Sequence, residues 1–266
     1  PEPVRILGTP PVLRRGPFFF VLTRPIMSSL LKTYSERLAE TLPRVRDQIA
    51  MAEEAGGRTS GAVRLIAVTK SHPLECVEAA LQAGLEDLGE NRVEELEAKV
   101  EQFGAECAQW HMIGHLQSRK TRRVLAVADV VHSVDSLKLA RKISTSSLEG
   151  EGLVEVLAQV NTSGEESKGG FMIESAFEEI AELAELPGLR VSGLMTMAPF
   201  VDDEAVLTSA FTSLRRLSES LVASLDGFGT ELSMGMTNDL DIAIREGSTM
   251  VRIGTALFGP RPGYTA

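Results

Sequence analysis

The spacing of apolar positions changes character near residue 56. Over residues 28–55 they recur at helical intervals, at Leu30, Leu31, Tyr34, Leu38, Leu42, Val45 and Ile49, which predicts one amphipathic helix. Gly56 and Gly57 end it. Beyond them a short apolar run, a turn and a helix-period stretch follow one another repeatedly. The runs fall at residues 64–69, 87–90, 109–114, 130–133, 154–161, 190–195, 231–234 and 250–253. Helical patterns lie between them at 74–83, 93–103, 118–128, 136–146, 175–185, 205–221 and 239–245. Strands alternating with helices predict parallel βαβ units. Eight units within about 200 residues predict an α/β fold of the closed (β/α)8 TIM-barrel type. A doubly wound open sheet is the alternative. The count of eight, with no second domain left over, favours the barrel. No linker rich in Gly, Ser or Pro divides the chain after Gly56. The reading is therefore a single barrel domain over residues 27–260, led by an N-terminal helix and followed by a tail at 261–266.

Composition narrows the function. The chain has 266 residues, 43% hydrophobic and 24% charged, enough to bury a sizeable core, which excludes disorder, collagen and disulfide scaffolds. Lys plus Arg is 27 against 37 Asp plus Glu, a net charge of −10. Such a surface repels a phosphate backbone, so nucleic acid is not the expected partner. Cys76 and Cys107 lie in no CxxC and no Cys/His cluster; they read as reduced thiols of a cytoplasmic protein, not as a disulfide or metal site. No apolar run approaches the roughly 20 residues needed to span a bilayer, so no membrane role is expected. Residues 1–26 are rich in Pro and Arg, without an amphipathic period. They read as a disordered extension ahead of a natural start near Met27, with a transit peptide as the lesser reading.

Function in a parallel barrel sits at the carboxyl ends of the strands, and polar residues gather there. Lys70 terminates an otherwise apolar run. Desolvation and neighbouring cations at a barrel mouth lower a lysine pKa and free the amine to attack a carbonyl; the plainer reading is a lysine that snorkels to solvent. Ser233, Gly235, Thr237, Gly254 and Thr255 lie at the ends of the last two runs. Hydroxyls and closely approachable backbone there suit a phosphate dianion, although Gly, Ser and Thr are also ordinary turn residues. Met195, Met197, Met234 and Met236 fit an apolar slot for a flat ring or core filler, core being the commoner role. His111, His115 and His132 lack a carboxylate at metal-ligand spacing, which favours hydrogen-bonding roles. No serine carries a nucleophile-elbow sequence. The charged, glycine-bounded run at 164–170 reads as a solvated loop, with a lid as the alternative.

Read together, these segments resemble the YggS/PROSC family of pyridoxal phosphate homeostasis proteins. The resemblance is carried by AVTK at 67–70, GENRV at 89–93, WHMIGHLQSRK at 110–120, HSVD at 132–135, VNTSGEESKG at 160–169, GLMTM at 193–197, LSMGMTND at 232–239 and VRIGT at 251–255. These occur in family order over most of the chain. The resemblance implies a barrel of the alanine racemase N-terminal type. It implies pyridoxal 5′-phosphate (PLP) held as a Schiff base on Lys70, with Asn91 near the ring and Arg252 facing the pyridine nitrogen. It places the phosphate on Ser233, Thr237, Gly254 and Thr255. Thr237 stands where the family often has Ser, and Arg92 where some members have Tyr. A cationic Arg at the pyridine nitrogen opposes ring protonation, and an unprotonated ring is a poorer electron sink. Racemase relatives add a second domain with a tyrosine base, whereas the tyrosines here, Tyr34 and Tyr264, lie in the leading helix and the tail. The expectation is thus a PLP homeostasis protein that releases its cofactor by transimination, without robust turnover. Its expected partners are PLP, free amino acids and apo PLP-dependent enzymes, as a monomer or weak dimer. A PLP-dependent racemase or decarboxylase is the rival reading, and a barrel enzyme for an unrelated phosphorylated substrate is a third.

Overall fold

The helical period of the leading segment is realised as α1 (Ser29–Ala55), whose buried stripe includes Leu31, Tyr34, Leu38, Leu42, Val45 and Ile49. The computed structural model describes residues 29–150, 152–165 and 168–261. The expectations for 1–26 and for most of the tail lie outside the described residues. After α1 come β1 (Arg64–Val68), α2 (Leu74–Gln82), β2 (Asp87–Glu90), α3 (Val93–Phe103), β3 (Gln109–Met112), α4 (Thr121–Leu125), β4 (Val130–Val134) and α5 (Leu137–Glu149). The chain continues through β5 (Val154–Asn161), β6 (Phe171–Met172), α6 (Ala176–Ala184), β7 (Leu189–Met195), α7 (Glu204–Ser224), β8 (Glu231–Ser233), α8 (Leu240–Arg245), β9 (Met250–Ile253) and α9 (Thr255–Phe258).

The strand order is β4-β3-β2-β1-β9-β8-β7-β5, and a β4–β5 pairing closes the ring. Every pairing in it is parallel. The eight strands read from the sequence are these eight, and the fold is the (β/α)8 barrel. β6 is additional and pairs with the end of β5. Two residues carry no readable period, so pattern alone missed it. The helix expected over 118–128 is also shorter. A 3-10 turn at Ser118–Lys120 precedes α4, and the buried Thr121 hydroxyl donates to the Ser118 carbonyl at 2.8 Å. Such a local bond competes with regular helix geometry.

α1 completes the outer layer. The element after the last strand, α9, is a single turn and cannot cover β9 and β1. α1 packs against α2, α8 and α9 and fills the place of the missing outer helix. Arg37 and Thr41 fasten it, donating to the carbonyls of Phe258 at 2.6 Å and Leu257 at 2.8 Å. Burying each leucine of its stripe contributes about 1.5–3 kcal/mol. None of the described helices is long and apolar enough to cross a membrane.

The strands separate two kinds of core. Outward-facing residues such as Ala67, Leu88, Trp110, Val131 and Leu232 join the helices in one continuous hydrophobic cluster. Ile66, Val68, Val130, Leu157, Met195 and Met250 are buried but stand outside that cluster; by the two-residue alternation of a strand they fill the barrel. Buried His111, His132, Ser233 and Arg252 share this interior.

Candidate functional site

Lys70 follows β1 after Thr69, in a turn closed by the His72 N–H donating to the Thr69 carbonyl at 3.1 Å. Ser71 completes the turn at φ 60°, the one positive-φ non-glycine residue among those described. That conformation is uncommon for a residue with a Cβ, and the Glu95 carboxylate accepts the Ser71 N–H at 2.6 Å. Beneath the turn, the fully buried Glu90 accepts from the Thr69 hydroxyl at 2.5 Å and from Lys99 Nζ at 2.5 Å. Lys99 also donates to the Thr69 carbonyl at 2.8 Å. The backbone just before Lys70 is therefore clamped from two sides by a buried ion pair.

The Lys70 amine is half-buried and makes no ion pair with a described residue. Burial, and then the charges of Arg261 and Arg252, push its pKa below the usual lysine range, against Glu90 and Glu95. Lys120 and Lys168 differ, pairing with Glu94 at 2.8 Å and Glu165 at 2.7 Å. Among these three lysines near strand ends, Lys70 is the one whose surroundings favour a neutral, nucleophilic amine.

Arg252 lies in β9, beside β1, in register with Ile66. It is buried; its Nη1 donates to the carbonyl and hydroxyl of Ser233 at 2.7 Å each, and its Nη2 to the Thr196 carbonyl at 2.9 Å. Burial pushes its pKa down to about 10, with Asp239 opposing, so it stays cationic at neutral pH. Ser233 is fully buried, and its hydroxyl lies between Arg252 and His132 Nδ1, 2.9 Å away. That hydroxyl is already engaged inside the barrel. The expected Ser233 contact to phosphate would replace one of these bonds.

Thr237 and Thr255 lie at the rim, half-buried and exposed respectively. Asp239 shapes the first of these turns: its carboxylate accepts the Met236 N–H at 2.5 Å, and burial pushes its pKa up. Gly235 holds φ 96°, and a Cβ there would come within 2.7 Å of the Ala243 Cβ. Gly254 sits against β1, where a Cβ would approach the Val68 carbonyl at 3.1 Å. Asn91 follows β2, half-buried. A Cβ on Gly114 would fall 2.3 Å from the Asn91 carbonyl oxygen, so the glycine after β3 is what lets the Asn91 segment settle there.

Lys70, Arg252, Gly254 and Ser233 thus stand on the neighbouring strand ends β1, β9 and β8, with Asn91 on the other side after β2. The sequence reading found these residues but missed Thr69, Ser71, Glu95, Lys99 and Asp239. Lys99 had left one signal, a charge on the apolar face of a helix set by Val93 and Leu96. The methionines divide: Met195 and Met234 are buried core, while Met197 and Met236 are exposed. The histidines follow the hydrogen-bonding reading. His111 and His132 bond each other at 2.9 Å, and His115 meets Asp135 at 3.1 Å. The loop at 164–170 is tied to Asn161, whose amide donates to the Glu165 and Lys168 carbonyls at 2.8 and 3.1 Å. Cys76 and Cys107 are free thiols.

A closed parallel barrel with a desolvated lysine after its first strand and glycine-and-hydroxyl turns after its last two defines a class. The sequence profile of the alanine racemase N-terminal domain family matches residues 44–262, and an alanine racemase from Clostridium difficile superposes with a TM-score of 0.70 over 86% of this chain and 58% of its own, at 16% identity. Within that class, the chain belongs to the pyridoxal phosphate homeostasis proteins. It is 42% identical over 235 residues to the protein of that name from Pseudomonas aeruginosa, covering 87% of this chain and 97% of the relative. It is also similar to the structure of PipY from Synechococcus elongatus with PLP bound: TM-score 0.71, 32% identity, 85% of this chain and all of the other.

Proposed function

We propose that this chain binds PLP reversibly through the Lys70 amine and acts as a reservoir for it, without robust turnover. The observation that carries the reading is the electrostatic setting of Lys70: half-buried, flanked by Arg252 and Arg261, and without a carboxylate partner among the described residues. The residues present fit the cofactor. Thr237, Thr255 and the approachable backbone at Gly254 suit its phosphate, Asn91 its ring, and Arg252 its ring nitrogen. When bound, PLP supplies an aldehyde that links reversibly to an amine and a ring that can act as an electron sink. The clamped turn at Thr69–His72 holds Lys70 in place for that link. Arg252 would set a fixed cation toward the ring nitrogen, which would oppose protonation there and weaken the sink. Holding and releasing then outweigh carbanion chemistry, as the name of the relatives suggests. Free amino acids competing with Lys70 for the aldehyde, and apo-enzymes accepting it, are the partners this reading implies.

The test is trapping. Purified protein incubated with PLP and reduced with borohydride should carry one adduct, which peptide mapping places on Lys70; Lys70→Ala should lose it while its circular dichroism stays native. An adduct on Lys120 or Lys168 refutes the assignment.

A further inference from the structure

The barrel interior holds a line of polar side chains that the proposed function does not use. It begins at Asp87, the first residue of β2, and so at the amino end of the barrel. The Asp87 carboxylate meets His111 Nε2 at 2.9 Å; His111 Nδ1 meets His132 Nε2 at 2.9 Å; His132 Nδ1 meets the Ser233 hydroxyl at 2.9 Å; and Ser233 Oγ meets Arg252 Nη1 at 2.7 Å. β4 and β8 are not neighbours in the sheet, so the His132–Ser233 bond crosses the hollow of the barrel. His111, His132 and Ser233 are essentially inaccessible.

Chemistry gives the line a direction. A carboxylate only accepts hydrogen bonds and a guanidinium only donates them. With both rings neutral, His111 must carry its proton on Nε2 to serve Asp87, and its Nδ1 then accepts. His132 must in turn hold its proton on Nε2, so its Nδ1 accepts from the Ser233 hydroxyl. The second Ser233 acceptor site receives Arg252. Every group is satisfied, and all protons point one way, from the cation at the site to the carboxylate at the far end. Hydrogen bonds in such a chain polarise one another. Arg64, 3.9 Å from Asp87 and 2.7 Å from Glu231, fixes the far terminus. Barrel interiors are ordinarily filled by layers of branched apolar side chains. Two histidines and a serine there have to be justified by what their bonds hold.

We infer that Asp87, His111, His132 and Ser233 form a one-directional hydrogen-bond relay that positions Arg252 for the cofactor ring. They are positioning residues, and the inference rests on the PLP reading only for what Arg252 faces. Burial agrees with a neutral His132, since it holds that ring's pKa well below the usual histidine range.

The first measurement needs no cofactor. The chain has four histidines, so a long-range proton–nitrogen NMR spectrum of the apo-protein at neutral pH resolves each ring, with His111→Gln and His132→Gln giving the assignments. Both rings should be neutral and protonated on Nε2. A proton on Nδ1 of either ring, or a charged ring, overturns the relay. The second measurement is PLP titration followed by absorbance. His132→Phe keeps a flat ring and cuts two links; it should weaken PLP about tenfold, the loss of roughly one hydrogen bond's net contribution, and move the absorption maximum of the bound cofactor. His132→Gln, with an acceptor and a donor, should recover most of both. If His132→Phe does not fold, Ser233→Ala cuts the last link with little change in volume and should show the same loss. Wild-type affinity and an unmoved spectrum in the cut variants overturn the positioning role. If wild-type protein gives no borohydride-trapped adduct, the cofactor reading fails, while the ring tautomers still decide the relay.

Discussion

Replacing Lys99 by methionine tests what holds the Lys70 turn. The side chain of Lys99 is 4% exposed and that of Glu90 is 0%. Methionine fills much of the same volume but removes the bonds to Glu90 at 2.5 Å and to the Thr69 carbonyl at 2.8 Å. Glu90 would keep the Thr69 hydroxyl as its partner; its second oxygen has none among the described residues. Removing one member of a buried ion pair costs about 3–5 kcal/mol, because the other charge is left uncompensated. Burial already pushes the Glu90 pKa up, with Lys99 as the largest opposing influence, and its loss raises that pKa further. A carboxyl whose folded pKa lies above its unfolded value, about 4.3, binds its proton more tightly when folded. Its contribution is fully favourable below the unfolded value and is lost as pH rises through the folded one. The deficit of Lys99→Met relative to wild type should therefore be largest at mildly alkaline pH and shrink as the solution is acidified. Urea unfolding of the apo-protein, read by the single tryptophan, Trp110, which is fully buried, gives both values. Adding Glu90→Gln to Lys99→Met should restore part of the loss. A cost under about 1 kcal/mol, or one that does not change with pH, would refute the account of the clamp.

Three further outcomes are expected. Thr237→Val or Thr255→Val should weaken PLP about tenfold or more while leaving pyridoxal nearly unaffected, because a charge-assisted hydrogen bond contributes roughly 1.5–3 kcal/mol; equal loss of both ligands in parallel titrations moves the phosphate elsewhere. Gly114→Ala, whose Cβ would lie 2.3 Å from the Asn91 carbonyl oxygen, should destabilise the fold by about 1–3 kcal/mol through forced backbone movement and lower PLP affinity; unchanged unfolding and binding would mean that the Asn91 segment moves aside freely. Loaded protein offered L- or D-alanine in heavy water should release PLP without exchanging the α-proton at an enzyme-like rate, and rapid exchange that is lost in Lys70→Ala would favour a racemase-like activity.

The barrel was legible because its strands are short apolar runs at regular spacing, each followed by a helical period. The role of α1 was not. Its amphipathic stripe predicted a helix, but period says nothing about which surface covers that stripe. The answer lies at the other end of the sequence, where α9 stops after one turn and Arg37 and Thr41 bond its last carbonyls. Lys70 stood out for a related reason: it ends an apolar run, and a charge in that setting either pairs or works. Arg252 was singled out through the family resemblance alone. Ser233 shows the limit of this logic. Its place at a strand end suggested a phosphate contact, whereas its hydroxyl is held inside the barrel by His132 and Arg252.

What pattern reading lacked was the pairing between distant segments. Thr69, Glu90 and Lys99 come from three elements, and Asp87, His111, His132 and Ser233 from four strands. No local spacing joins them. Both sets nevertheless obey one physical requirement, that a charge at the mouth of a tightly filled barrel is held in place by fixed partners. On the proposed reading Lys70 must remain an available amine; its own head makes no ion pair with a described residue, and the fixing falls on the backbone on either side of it, through Thr69 and Ser71. Arg252 must remain a cation, so its guanidinium is held directly, by two carbonyls and a hydroxyl. Among the described residues no carboxylate pairs directly with Arg252, although Asp239 lies near enough to support its charge; a direct ion pair would offset the charge that, on the proposed reading, opposes protonation of a bound ring. Carbonyls, a hydroxyl and two imidazoles hold it while leaving the negative charge of Asp87 at the far end of the barrel. On the proposed reading, that difference, a backbone clamp for the nucleophile and a relay for the cation, suits a site that would hold an aldehyde without exploiting its ring.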